Sequence, residues 1–157
     1  FFEVSLSYKD SNGLRINIPY RYTIFEDKIK HRLSIGASYQ FYFKPVSLKY
    51  RIKFYRLYEN GESLGENSVP FGNLIRNKFT IKYKSGKIII PYISGELFHL
   101  YNTDNNSLDE YRASFGIEVN LPRKSSINIF YTVKKEDITK SSPDEINVFG
   151  LSYSFKI

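Results

Sequence analysis

The sequence predicts an all-β protein, an up-and-down antiparallel transmembrane β-barrel built as one domain over residues 1–157. Three observations carry this. Apolar residues alternate with small or polar ones along segments of roughly 9–14 residues, near the length at which a tilted strand crosses a bilayer. No helical period interrupts them. The connections between segments are alternately short and long, the pattern of a barrel with its turns on one side of a membrane and its loops on the other. The alternation is plainest in the last stretch, where Phe149, Leu151, Tyr153, Phe155 and Ile157 alternate with Gly150, Ser152, Ser154 and Lys156.

Composition narrows the class. The chain holds no apolar run of about 18 residues, which excludes a transmembrane helix, but a membrane strand shows none because only every second residue faces lipid. Aromatic residues make up 17%, from 14 Tyr and 13 Phe with no Trp. Tyrosine suits a surface that is apolar along its height and wet at its ends, and it is also a good strand former. With no cysteine there is neither a disulfide framework nor thiol chemistry. The net charge of +7 is spread through nearly every strand and not gathered in one patch, which argues against nucleic acid as a partner. Phe1-Phe2-Glu3-Val4 reads as strand, not as a signal peptide.

The first strand runs from Phe2 to Lys9, with Phe2, Val4, Leu6 and Tyr8 on one face. Asp10-Ser11-Asn12-Gly13 then turns the chain, Asn-Gly being a strong hairpin signal. The second strand sets Leu14, Ile16, Ile18, Tyr20, Tyr22 and Ile24 against Arg15, Asn17, Pro19, Arg21 and Thr23. Pro19 has no N–H for a ladder, so a bulge or irregular pairing is expected there. After Glu26-Asp27-Lys28, the third strand sets Leu33, Ile35, Ala37, Tyr39, Phe41 and Phe43 against Arg32, Ser34, Gly36, Ser38 and Gln40. Lys44-Pro45 leads into the fourth, with Val46, Leu48, Tyr50, Ile52 and Phe54 against Ser47, Lys49, Arg51, Lys53 and Tyr55.

A polar loop from about Glu59 to Gly72 precedes the fifth strand, which sets Ile75, Phe79, Ile81 and Tyr83 against Arg76, Lys78, Thr80 and Lys82. Ser85-Gly86 turns into the sixth, with Tyr92, Ser94 and Glu96 inward and Ile93, Gly95, Leu97 and Tyr101 outward. A second polar loop, Asn102 to Leu108, leads to the seventh. There Tyr111, Ala113, Phe115, Ile117, Val119 and Leu121 oppose Arg112, Ser114, Gly116, Glu118 and Asn120. Pro122-Arg123-Lys124 turns into the eighth, with Ile127, Ile129, Tyr131 and Val133 outward. A third polar loop, Lys135 to Asp144, leads to the closing strand, Glu145 to Ile157.

Twelve of the sixteen acidic residues fall at the long-loop end: Glu26 and Asp27, then Glu59, Glu62 and Glu66, then Asp104, Asp109 and Glu110, then Glu136, Asp137, Asp144 and Glu145. The short turns carry Lys9, Lys44, Lys84, Lys87, Arg123 and Lys124. With short turns periplasmic and long acidic loops extracellular, the first strand runs from outside to inside. About nine strands are visible, whereas single-chain bacterial barrels take an even number. One further N-terminal strand, or an odd number of them, is therefore expected beyond this sequence, giving ten or more in the closed barrel.

The polar face is strongly basic. Arg15, Arg21, Arg32, Lys49, Arg51, Lys53, Arg76, Lys78, Lys82, Arg112 and Lys134 share it with only Glu3, Glu96 and Glu118. Buried charges need partners, so Glu96 and Glu118 are expected among Arg51, Arg76 and Arg112 as a lumenal charge network. Such a face supports an anion path, or a set of side chains that fills a narrow barrel. His31, near Asp27, and His99 are the only histidines. Neither has a serine motif, so no catalytic role or enzyme activity is expected. No His and Cys constellation suggests a metal, no Ca²⁺-loop spacing is present, and no cofactor is implied.

Gly150, Tyr153 and Phe155 stand at the spacing of the closing strand of bacterial outer-membrane barrels. Arg76-Asn77-Lys78 before a strand, Pro91-Tyr92 leading to Glu96-Leu97-Phe98, and Tyr111-Arg112 add to this. With these pieces nearly the whole chain resembles the small outer-membrane barrels of Bacteroidota that make up a family of unknown function. The resemblance implies location and fold, and no activity. The expectation is an integral outer-membrane barrel with a structural or partner-binding role, an accessory subunit of a larger outer-membrane complex. Its partners would be outer-membrane lipids, lipopolysaccharide and other outer-membrane proteins. A small anion-selective channel with a basic lumen is the alternative, and a soluble lipid-binding barrel, with the apolar face inward, is a third.

Overall fold

Each of the nine alternating segments forms a strand, because alternation gives a strand one apolar face and one polar face and gives a helix neither. The computed structural model describes residues 1–24, 28–61, 73–84, 86, 88–101, 106–136, 138 and 142–155. The strands are β1 (Phe2–Lys9), β2 (Arg15–Ile24), β3 (Lys28–Phe43), β4 (Val46–Gly61), β5 (Asn73–Tyr83), β6 (Ile89–Tyr101), β7 (Asn106–Leu121), β8 (Ser125–Glu136) and β9 (Asp144–Phe155). They form one sheet in chain order, each antiparallel to the next. Among the described residues no ladder joins β1 to β9, so the nine strands form an open sheet.

Residues opposite each other in an antiparallel ladder point to the same side, so the register carries each face across the whole sheet. Ile16, Ala37, Ile52, Asn77, Leu97, Tyr111 and Lys135 make one such row on the apolar face. On β3 to β8 the two faces differ sharply in exposure, while β1 and β9 at the edges are exposed on both. Ser34, Ser47, Thr80, Ser94 and Thr132 are buried on the polar face, and even Tyr55 and Phe98 there are only 6% exposed. On the apolar face Ile93 is 57% exposed and Phe115 59%. A flat single layer would expose both faces alike. The sheet is therefore curled, with its polar face on the inside of the curve and its apolar face outward.

Polar side chains on the apolar face are capped locally. The Tyr50 hydroxyl donates to Asn77 Oδ1 at 2.7 Å, and that of Tyr131 to Asn147 Oδ1 at 2.7 Å. Tyr20 Oη and His31 Nδ1 share a hydrogen bond at 2.7 Å. An apolar groove of about 670 Å³ runs over the same face between Ile81, Ile93, Phe115, Ile117, Ile129 and Phe149.

The connections follow local chemistry. Gly13 takes a φ of 95°, which a side chain would resist, and its N–H donates to Asp10 O at 3.3 Å. The Asp10 carboxylate accepts the N–H of Asn12, also at 3.3 Å, and that bond together with one from the Ser11 N–H holds its carboxyl below the usual range. Arg123 and Lys124 both lie in the left-handed region, with φ of 59° and 57°, in the turn between β7 and β8. Lys44-Pro45 is a cis peptide.

Two expectations need correction. Pro19 causes no bulge, and the expected irregularity is an interruption: it stays opposite Ser5, while the β2–β3 ladder skips Ile18 and Pro19 and resumes at Tyr20 in the same register. Its carbonyl takes a hydrogen bond from Ser34 Oγ at 3.2 Å. The register shift lies instead between Phe98 and His99, where β7 supplies one residue more than β6. The supposed loops also narrow, since β4 runs on to Gly61 and β7 starts at Asn106. Of the loop charges, Glu26, Asp27, Glu62, Glu66, Lys87, Asp104 and Asp137 lie outside the described residues.

Close packing on the inner face gives a test of this fold. An added Cβ at Gly116 would stand 2.6 Å from the Ile129 carbonyl oxygen and 2.8 Å from the Tyr92 hydroxyl, while one at Gly95 meets nothing within 4 Å. Gly116→Ala should destabilise the protein by about 1–3 kcal/mol, because a backbone carbonyl cannot move aside cheaply. Gly95→Ala should stay within about 0.5 kcal/mol of the parent. Denaturant midpoints of the two variants make the comparison, and equal shifts would contradict the register.

Candidate functional site

The inner face is the candidate site, because on β4 to β8 its charged side chains lie together and are partly shielded from bulk solvent. One row crosses eight strands in register: Lys9, Arg15, Ser38, Arg51, Lys78, Glu96, Arg112 and Lys134. Six of these are cations and one is an anion. Placing so many like charges in one band is costly unless counter-charges stand nearby.

On β5 to β8 the counter-charges are there. Glu96 is buried, and it is gripped from two sides. Arg76 Nε donates to Glu96 Oε2 at 2.7 Å, and Lys78 Nζ donates to Glu96 Oε1 at 2.5 Å. Arg76 also donates to the Tyr55 hydroxyl at 3.3 Å. Phe98 lies between two guanidiniums, with that of Arg112 4.5 Å from its ring centroid and that of Arg76 5.2 Å away, within cation–π range. Lys82 Nζ reaches across β6 to Glu118 Oε2 at 2.5 Å, a contact between strands two apart in the sheet. Arg112 pairs with Glu110, and Lys134 pairs with Glu136 and lies 3.9 Å from Glu110.

The five residues predicted as a charge network are all on this face, but they do not form one cluster. Arg76 and Glu96 pair directly. Arg112 faces Glu96 across the ladder, yet its guanidinium binds Glu110. Glu118 takes a lysine, Lys82, and none of the arginines. Arg51 has no carboxylate partner among the described residues and stands with Lys49 and Arg15. Glu110 was assigned to the long-loop end, and the structure buries it on the inner face instead. Its parity with Arg112 was the available signal. Tyr153 and Phe155 of the closing strand point outward, both more than half exposed, while Gly150 faces inward against the Phe130 ring, which fills the space a Cβ would need.

A polar pocket of about 250 Å³ sits beside this network, between Lys78, Tyr92, Ser94, Arg112, Asn128 and Thr132. Ser94 Oγ and Asn128 Oδ1 are buried there without a protein partner. Ser114 Oγ and Thr132 Oγ1 bond each other at 2.8 Å. Both histidines stand on the apolar face, opposite Tyr22 and Ile75. The inner hydroxyls therefore have no histidine beside them among the described residues. No cluster of three or more His, Cys, Asp or Glu suited to a metal occurs among the described residues either. What this face can do chemically is hold charge, by hydrogen bonds and by excess positive potential.

Comparison with protein-family models, with curated proteins and with solved structures finds no match to this chain.

The twofold grip on Glu96 should govern stability. Glu96→Gln leaves Arg76 and Lys78, both three-quarters buried, without their anion, and should cost about 2–4 kcal/mol. Removing Glu145, which reaches Lys135 at 3.6 Å on the exposed rim, should cost no more than about 1 kcal/mol. Equilibrium unfolding of Glu96→Gln and Glu145→Gln side by side checks the ordering, and a neutral Glu96→Gln would contradict it.

Proposed function

We propose that this chain is an integral outer-membrane β-barrel with a structural or partner-binding role, serving as an accessory subunit of a larger outer-membrane assembly. One observation carries the reading: the sheet turns its apolar face outward and its charged face inward, the reverse of a water-soluble barrel. A soluble lipid-binding barrel keeps its apolar side chains inside, so this polarity speaks against it.

Further features support the reading. On β3 the apolar face from Leu33 to Phe43 covers roughly 33 Å along the strand, which at a tilt of about 40° gives a band of about 25 Å, the height of a barrel's lipid-facing belt. Tyrosines mark its two ends, Tyr20, Tyr22 and Tyr101 on one side and Tyr8, Tyr83 and Tyr153 on the other. Tyrosine caps on Asn77, Asn147 and His31 remove bare polar groups from the same surface, as an apolar solvent requires. Short turns would face the periplasm and long loops the exterior.

Closure belongs to the proposal. Edge strands β1 and β9 run in the same direction, so an antiparallel seam between them takes an odd number of additional strands, giving ten or more. The resemblance to the Bacteroidota barrels fits this arrangement. Lipid, lipopolysaccharide and other outer-membrane proteins are the partners it implies. The basic inner face favours an anion path as the second reading.

Two measurements test the proposal. Expressed with an export signal, the protein should fractionate with outer membranes, require detergent for extraction and show a heat-dependent shift in gel mobility. Release into buffer without detergent would overturn it. Ile129→Lys, at the middle of the outward face, should cost about 2–4 kcal/mol of folding in lipid, as a charge does at the midplane of a barrel wall.

A further inference from the structure

The inner face is unevenly balanced. On β5 to β8 each described inward cation meets a carboxylate: Arg76 and Lys78 on Glu96, Lys82 on Glu118, Arg112 on Glu110 and Lys134 on Glu136. On β1 to β4 the one inward carboxylate with a described side chain, Glu3, is taken by Arg21 at 2.6 Å and approached by Arg32 at 3.8 Å. Arg15, Lys49 and Arg51 pair with no carboxylate among the described residues. The charges that act most strongly on Lys49 are those of Arg51, Arg15, Lys82 and Lys78, all positive.

Register explains why these three converge. Arg15 and Arg51 both lie opposite Ser38, one from each side. Ser38, the residue between them in the ladder, is buried and short, so its side chain does not stand as a bulky barrier between the two arginines. Their Cα atoms stand two strands apart, roughly 9.5 Å, a span that two arginines close readily around a small ion. Lys49 precedes Arg51 by two residues on the same face, opposite Gln40. Gln40 Nε2 donates to Ser47 Oγ at 2.8 Å, which engages that amide group. The result is two planar forks and one point charge over a floor with a hydroxyl, an arrangement matched to a tetrahedral oxyanion. A bound anion also relieves the mutual repulsion of the three cations.

We propose that Arg15, Lys49 and Arg51, over Ser38, form a binding site for a free oxyanion of phosphate's size. The site goes beyond the outer-membrane reading and depends only on the inner face, so it can be measured in whichever solvent keeps the sheet folded. Loss of phosphate binding in a detergent-requiring barrel would overturn the site alone. Phosphate binding by a protein that needs no detergent would overturn the membrane reading alone.

Titration calorimetry of the folded full chain with inorganic phosphate, at fixed chloride, is the experiment. One phosphate per chain should bind with saturation below about 1 mM, the range of a few charge-assisted hydrogen bonds. Arg51→Gln should weaken it at least about tenfold, and Lys49→Gln by a smaller factor, since charged hydrogen bonds are the stronger kind. Arg123→Gln, an equal loss of charge in the β7–β8 turn, should change it less than about twofold. If Arg51→Gln does not fold, Arg51→Lys keeps the charge, loses the fork, and should still weaken binding several-fold. No saturation, or an equal loss from Arg123→Gln, would overturn the site.

Discussion

Main-chain hydrogen bonding between successive strands is the constraint on which everything else rests. With nine strands in chain order and no second layer among the described residues, the ladders alone hold the sheet together, and each ladder fixes the register of the next. Because opposite residues share a face, one register error would turn a whole strand's charged side chains outward. The fully buried Ser47, the crowded Gly116 and the paired Glu96 all sit where that register puts them. The curl that buries them is that of a twisted sheet with short inner side chains at the middle of β3, Ser34, Gly36 and Ser38, and bulky ones outside.

Polarity then decides what surrounds the sheet. Charged groups inside a curled sheet must pair or stay wet, and the proposed outer-membrane setting adds a second condition, an apolar solvent for the apolar face. On β5 to β8 the first condition is met by pairing, strand against neighbouring strand, with Phe98 and Tyr55 filling the space between guanidiniums. On β2 to β4 Arg21 pairs with Glu3, while Arg15, Lys49 and Arg51 have no carboxylate partner among the described residues and meet the condition through water or, as proposed, an oxyanion. The second condition is what a bilayer supplies, and the tyrosine-capped asparagines of the outer face are suited to it.

Strand parity was legible from residue type alone, since a period of two needs no knowledge of neighbours. Every inward and outward assignment from the second to the eighth strand that rested on clean alternation is matched by the register, including Tyr92, Ser94 and Glu96. Pairing was less legible, because a partner is set by which residue of the next strand lies opposite, and that depends on turn length and bulges. Hence Glu118 meets Lys82 and Arg112 meets Glu110, where the charges alone suggested arginines around Glu96. Glu110 was missed because Asp109 and Glu110 read as loop acids. Glu110 shares a face with Arg112 by parity alone, since the bulge beside His99 falls beyond it. At Pro19 the missing N–H interrupts the β2–β3 ladder without shifting the register, so the irregular pairing was legible and no bulge accompanies it. The unpaired state of Arg15, Lys49 and Arg51 could not be read at all before the strands were aligned.

The central claim is that one face of this sheet meets lipid and the other does not. Single cysteines placed one at a time along β7 from Arg112 to Val119, in a chain that has none of its own, can carry a spin label in reconstituted bilayers. Accessibility to oxygen, which concentrates in lipid, should then alternate with a period of two, high at Ala113, Phe115, Ile117 and Val119 and low at Arg112, Ser114, Gly116 and Glu118. Accessibility to a water-soluble nickel complex should be low at the first set. The reverse alternation, or equal access to the nickel complex at both sets, would contradict the account.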